Sequence, residues 1–271
     1  MKLIKMHGTG NDFLFVDRLN PIGEVPTDRP EFVRQVCDRH FGVGADGLAF
    51  LEPHNDLDFR WDFYNSDGSE AEMCGNAARC AALLFSQMND GQNEVSFQSA
   101  YGPIFGFVQS PEQVSVRTGE IKVLGEGLQF QSESQGLAWT FDHLDTGVPH
   151  AVVQLETDQQ LQSEAHRKAA SELRSHEIVG ARGTNVTFFK TISDDHILAV
   201  SYERGVEDFT MACGTGVIAA AHVKAKGTNL ESVRVSIPGG DLAVDFREKL
   251  PTLRGPAKRV ATIELDDGFL D

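Results

Sequence analysis

Two short stretches, Cys74-Gly75-Asn76-Ala77-Ala78 and Cys213-Gly214-Thr215-Gly216-Val217, decide how this chain is read. Each sets Cys-Gly directly ahead of a small-residue run of helical character. Each also follows a strand-like segment and an acidic loop, Phe63-Tyr64-Asn65-Ser66-Asp67-Gly68 in one case and Ser201-Tyr202-Glu203-Arg204-Gly205 in the other. Further upstream, Gly8-Thr9-Gly10-Asn11-Asp12-Phe13 has a counterpart in Gly183-Thr184-Asn185-Val186. Correspondences that keep their order along the chain are an internal repeat. They predict two related halves, each with a Gly/Thr/Asn loop and a Cys-Gly helix start, meeting across a cleft. Gly119, Gly125 and Gly127 mark the division, which gives a first domain over residues 1–118 and a second over 119–259.

Around these stretches the chain is rich in strands. Asp58-Phe59-Arg60-Trp61-Asp62-Phe63 and Val233-Arg234-Val235-Ser236-Ile237 alternate large apolar with polar residues, the period of a half-buried strand. Phe13 to Val16, Val95 to Gln98, Ile104 to Val108, Val114 to Arg117, Val186 to Phe189 and Ile197 to Tyr202 read the same way. Helical patterns are fewer: Glu31 to Arg39, Gly75 to Gln87, Ser163 to Leu173 and Gly214 to Lys226. The fold class is α+β. Gly42-Val43-Gly44-Ala45-Asp46-Gly47 lacks both the dinucleotide pattern and the phosphate-loop lysine, so it reads as a tight loop.

The 271 residues, with 41% apolar and 24% charged, suit an ordinary soluble protein. No segment approaches the roughly 18 uninterrupted apolar residues of a membrane span, and the N-terminal run is broken by charge, so neither a span nor a signal peptide is expected. A net charge of −16 repels phosphate backbones and leaves nucleic-acid binding without an electrostatic footprint. Cys37, Cys74, Cys80 and Cys213 match neither a zinc ribbon nor a dense disulfide scaffold, which makes a reducing cytoplasm the default.

A cysteine just ahead of a helix lies at unsatisfied N–H groups and the positive end of the dipole, so its thiol pKa should fall. The same N–H groups can grip a substrate carboxylate, and Gly75, Ala77, Gly214 and Gly216 let it come close. Inverting an α-carbon needs a base on one face and an acid on the other. Two such cysteines supply both, with helix dipoles supporting the carbanion in place of a cofactor. A lone cysteine of this kind is more often a small buried hydrophobe. Two in matched context reverse that weighting, and Cys74 and Cys213 are taken as the acid/base pair. Cys37 and Cys80 are assigned to core packing, and His7, His40 and His150 are weighted toward structural roles.

In these motifs the chain resembles the diaminopimelate epimerases. The matching blocks are Met6 to Phe13, Gly42 to Gly47, Asn65 to Cys80, Gly147 to His150, Gly183 to Val186 and Tyr202 to Gly216. The resemblance implies two pseudo-symmetric α/β domains, each a mixed, mostly antiparallel sheet or barrel around a central helix, with the active site between them. It also implies no cofactor, a role in lysine and peptidoglycan precursor synthesis, a homodimer, and return of a strand near residues 260–271 to the first domain. Carried over by motif, Gly75, Asn76, Gly214 and Thr215 hold the reacting carboxylate, and Asn11, Asn65, Asn185, Glu203 and Arg204 surround the rest of the substrate. Arg204 suits the distal carboxylate and Glu203 the distal ammonium. Two departures bear on substrate contacts rather than on the thiols: Val148 stands where many members have Asn, and Gly47 where many have Gln.

Rival readings remain open at this point. A racemase or epimerase of the same scaffold would act on another amino acid, such as proline or histidine. A Cys/His hydrolase or thiol oxidoreductase would form a covalent intermediate on one cysteine. A binding protein of this fold would hold diaminopimelate without exchanging its α-proton.

Overall fold

The computed structural model describes residues 1–20, 26–71, 73–100, 102–266 and 268–269. The chain forms two compact units, one of Met1–Val116 with Gly255–Asp271, the other of Arg117–Arg254.

The first unit comprises β1 (Lys2–Gly8), β2 (Asn11–Asp17), α1 (Arg29–Cys37), β3 (Gly47–Glu52), β4 (Phe59–Asn65), α2 (Gly75–Met88), β5 (Glu94–Ser99), β6 (Gly102–Ser110) and β7 (Gln113–Arg117), joined by a C-terminal strand, Lys258–Glu264. That strand pairs with β1, and the sheet then runs β1 to β7 in chain order. The pairs β2–β3 and β4–β5 are parallel and the others antiparallel. Parallel neighbours need a long crossover; α1 spans the first and α2 the second. α2 touches β1, β2, β5, β6 and the C-terminal strand, and Gly75 through Ser86 are all buried. Its run Ala77-Ala78-Arg79-Cys80-Ala81-Ala82-Leu83-Leu84-Phe85 has no polar face because it needs none: a helix enclosed on all sides is apolar all round.

The second unit follows with β8 (Lys122–Gln131), β9 (Ala138–Asp145), β10 (Pro149–Gln154), α3 (Asp158–Leu161), α4 (Glu164–Arg174), β11 (Asn185–Ser193), β12 (His196–Glu203), β13 (Asp208–Phe209), α5 (Gly214–Ala225), β14 (Ser232–Ile237), β15 (Gly240–Asp245) and β16 (Thr252–Gly255). Its sheet order is β8-β9-β10-β11-β12-β14-β15-β16, parallel at β10–β11 and β12–β14. Read along each sheet, both units give the same series: antiparallel, antiparallel, parallel, antiparallel, parallel, antiparallel, antiparallel. α5 takes the place of α2, touching β9, β10, β11, β12, β14 and β15. The repeat of short motifs is therefore a repeat of whole topology, and the pseudo-symmetric α+β fold, with a mostly antiparallel sheet about a central helix, is what forms.

The alternating segments are all strands and the four helical patterns are all helices, with shifted ends. α1 begins two residues early because Asp28 caps it, its side chain accepting from Glu31 N, and Pro30 occupies the first turn. The strands that went unread include β3 and β10. β3 is buried at every position and β10 at all but its last, so neither shows the alternation that marks a half-solvated strand. Gly42 to Ala45 folds back on α1, with Gly42 N bonded to Asp38 O and Val43 N to Val36 O, the tight loop expected. Cys37 and Cys80 are core residues, 2% and 0% exposed.

Candidate active site

Strand register gathers the first unit's site residues at one end of its sheet. Gly8 pairs with Asn11, Phe13 with Gly47, and Gly47 with Asn65, so the β1–β2 turn, the start of β3 and the end of β4 lie together. Positive φ at Thr9 and Gly10 makes that turn tight, although the left-handed region is unfavourable for a β-branched residue. Cys74 is the N-cap of α2: its backbone is extended and its carbonyl accepts from Ala78 N. Its Sγ lies 3.6 Å from Asn11 Oδ1, which also accepts from Asn76 Nδ2 at 3.1 Å. Asn11 Nδ2 donates to Asp46 Oδ2 at 2.6 Å. Beneath them Arg79, fully buried, donates to Asn76 Oδ1, Gly75 O, Thr9 Oγ1 and Pro256 O. Burial lowers the guanidinium to about 10, which leaves it charged at neutral pH. Asn65 shares this end of the sheet but is exposed, and its amide donates to Ser69 Oγ. At Gly47 a Cβ would come within 2.6 Å of Tyr64 O, so β4 leaves no room here for a side chain unless the strands shift.

The second unit repeats the arrangement with different polar groups. Cys213 is the N-cap of α5, its carbonyl accepting from Val217 N. Its Sγ lies 3.5 Å from Thr215 Oγ1. From Thr215 a buried chain continues: His150 Nε2 at 2.9 Å, His150 Nδ1 to Thr187 Oγ1 at 2.9 Å, and Thr187 Oγ1 to Ser201 Oγ at 2.8 Å. Thr146 Oγ1 donates to Thr215 O. Burial pushes His150 down to about 3, so it is neutral at physiological pH, one ring nitrogen donating and the other accepting. Asn185 Oδ1 accepts from Arg204 N at 2.8 Å. Glu203 accepts from Thr210 Oγ1, and the exposed Arg204 side chain donates to Arg182 O.

One expectation is corrected. The Cys213 thiol is pushed up from its ordinary value, not down. Burial is the largest cause and the negative charge of Glu203 adds to it; hydrogen bonds from Thr215, Gly216 N–H and Ser201 act the other way and are outweighed. The helix start favours the thiolate, but the residue is only 8% exposed and its thiolate would lose more hydration than that favour returns.

Within the first unit the structure thus brings Asn11, Cys74, Gly75 and Asn76 together, with Asn65 at the same sheet end. In the second it brings Cys213, Gly214 and Thr215 together, while Asn185, Glu203 and Arg204 follow one another around the β11–β12 end. Sequence reading passed over Asp46, Arg79, Thr187 and Ser201 and set His150 aside. Arg79 alone carried a visible signal, a single cation inside an apolar helical run.

The duplicated sheet about a central helix places this chain in the class of two-domain folds that includes solved amino-acid epimerases and PhzF-like proteins. A hydroxyproline epimerase from Agrobacterium vitis superposes with a TM-score of 0.70 at 18% identity, over 97% of this chain and 91% of that one. A Bacillus anthracis protein of the PhzF family gives 0.72 at 11% identity, over 98% of each. The family model described as diaminopimelate epimerase matches residues 3–124 and 143–260. The diaminopimelate epimerase of Flavobacterium psychrophilum is 32% identical over 267 residues, 96% of this chain and 98% of that protein. That of Aquifex aeolicus is 38% identical over 262 residues, 92% and 91% of the two chains. This chain belongs to the diaminopimelate epimerase family.

Proposed function

We propose that this protein interconverts L,L- and meso-diaminopimelate, without pyridoxal phosphate, by moving protons between one α-carbon and the thiols of Cys74 and Cys213. The carrying observation is that each half of a duplicated fold caps the start of its central helix with a cysteine. The substrate's reacting carboxylate accepts N–H groups at the starts of α2 and α5, from Gly75, Asn76, Gly214 and Thr215, which supports the charge that develops as the α-proton leaves. Asn11, Asn65, Asn185, Glu203 and Arg204 receive the substrate's other polar groups. One sulfur takes the α-proton as its C–H bond breaks; the other thiol delivers its own proton to the opposite face. The raised Cys213 thiol suits the acid role, with Cys74 as base on the L,L isomer, and the roles exchange on the meso isomer. The product belongs to lysine and peptidoglycan precursor synthesis, and we place the enzyme in the cytoplasm as a homodimer. Among the described residues no helix is long and apolar enough to cross a membrane.

Following α-deuterium uptake in heavy water against diaminopimelate, proline and histidine tests the reading. Uptake into diaminopimelate, with inversion, is expected. Uptake confined to proline or histidine would replace the substrate, and tight binding of diaminopimelate with no exchange would make the protein a binder.

A further inference from the structure

We propose that Asp46 and Arg79 are positioning residues that fix which way the Asn11 and Asn76 amides face, so that Asn11 presents its carbonyl oxygen, and not its NH2 group, to the Cys74 thiol. The inference rests on the reading of Cys74 as a proton-transferring group.

The two ends of an amide are alike in shape and opposite in polarity. A carboxylate only accepts hydrogen bonds and a guanidinium only donates them. Asp46 therefore captures the Asn11 nitrogen, at 2.6 Å, and turns Oδ1 toward Asn76 Nδ2 and the Cys74 S–H. Arg79 captures the Asn76 oxygen, at 2.9 Å, where the Thr9 hydroxyl also donates, and turns Nδ2 toward Asn11. Donation runs one way through the chain, from Arg79 to Asn76 to Asn11 to Asp46. Reversing either amide would set NH2 against a guanidinium or an oxygen against a carboxylate. Both ends are themselves held. Asp46 accepts from Asp12 N and Arg39, and Arg79 donates to two backbone carbonyls.

Among the described residues, the titratable groups whose charges act on this thiol include Arg79 and Cys80 on α2; Asp46, beyond Asn11, is paired with Arg39, which also holds Asp12, and Lys5 is on Asp12. An acceptor aimed at sulfur favours S–H over the thiolate. The lock therefore favours the protonated form of Cys74 in the empty site, its proton directed at Asn11, and the thiolate that acts as base on the L,L isomer is the minor form there.

Alkylation of Cys74 by iodoacetamide, mapped by peptide mass across the neutral to mildly alkaline range, reads this out. Asp46→Ala should speed alkylation at neutral pH, on the order of threefold to tenfold, and move the half-titration point down; Arg79→Met also removes a positive charge that favours the thiolate, so its shift should be smaller than that of Asp46→Ala. Asp12→Asn removes a carboxylate from the same cluster but keeps the Asp46–Asn11 bond, and should follow the parent. A parent-like profile for Asp46→Ala, or an equal shift in Asp12→Asn, would overturn the lock. Should Arg79→Met fail to fold, Asp46→Ala decides alone, since 42% of that side chain is already exposed. If protein fully alkylated at Cys74 kept its activity, the role of Cys74 itself would fall instead.

Discussion

At the scale of single residues, the proposed chemistry rests on two sulfurs whose surroundings differ although their backbone positions match. Cys74 lies against amides anchored by ions, and Cys213 against a run of hydroxyls and a neutral imidazole. Replacing either thiol by a methyl removes one face of the proton transfer. Cys74→Ala and Cys213→Ala should each cut epimerisation by at least about a hundredfold, the lower bound for losing a general acid or base, while circular dichroism stays that of the parent. Activity near the parent level in either variant would remove that cysteine from the pair. His150 offers a test through pH. Its pKa falls from about 6.5 unfolded to about 3 folded, so the unfolded chain binds the extra proton. Its contribution to stability is complete above about 6.5 and is lost as pH drops toward about 3. In urea melts, His150→Gln should be less stable than the parent near neutrality, with the gap narrowing across that window. A gap independent of pH would mean that His150 titrates normally in the folded protein.

At the scale of elements, the start of α5 is where packing leaves least freedom. Gly216 lies in the helix's first turn, and a Cβ there would come 2.2 Å from Ser201 Oγ and 2.8 Å from Thr187 Oγ1. Gly216→Ala gains about 1 kcal/mol of helix propensity, but forcing a methyl into a filled space costs typically 1–3 kcal/mol, and here it also breaks a buried hydroxyl pair. We expect a net loss of about 1–2 kcal/mol in denaturant unfolding and weaker epimerisation, because α5 and Cys213 move with that turn. Unchanged stability would show that the hydroxyls can turn aside. The helix itself was legible from its small residues. Its demand for glycine was not, because Thr187 and Ser201 come from two strands that pair only once the sheet has formed.

At the scale of the molecule, the first unit is completed by the chain's last strand. Lys258–Glu264 pairs with β1, Leu3 lying opposite Ile263, and Leu265 joins the core that holds Leu3, Leu14 and Phe32. Pro256 O also receives Arg79. A chain ending at Arg254 would leave β1 as an open edge and Arg79 short of an acceptor. Limited proteolysis of that truncation should open residues 1–116 first while 117–254 stays protected, and epimerisation should be lost. Equal protection of both stretches would make the last strand dispensable.

Sequence by itself determined the duplication, the α+β class, the two helix starts and the family, because these rest on local periodicity and on motifs whose order survives in one dimension. It named Cys74, Asn11 and Asn76 for the same reason. What only the tertiary structure decided were interactions between segments distant in sequence: the packing of α2 and α5 against their sheets, the strands whose two buried faces erase alternation, the upward shift of Cys213, and the hydrogen-bond partners of Asp46, Arg79 and His150. Burial and hydrogen-bond polarity belong to the folded neighbourhood, and no spacing along the chain encodes them.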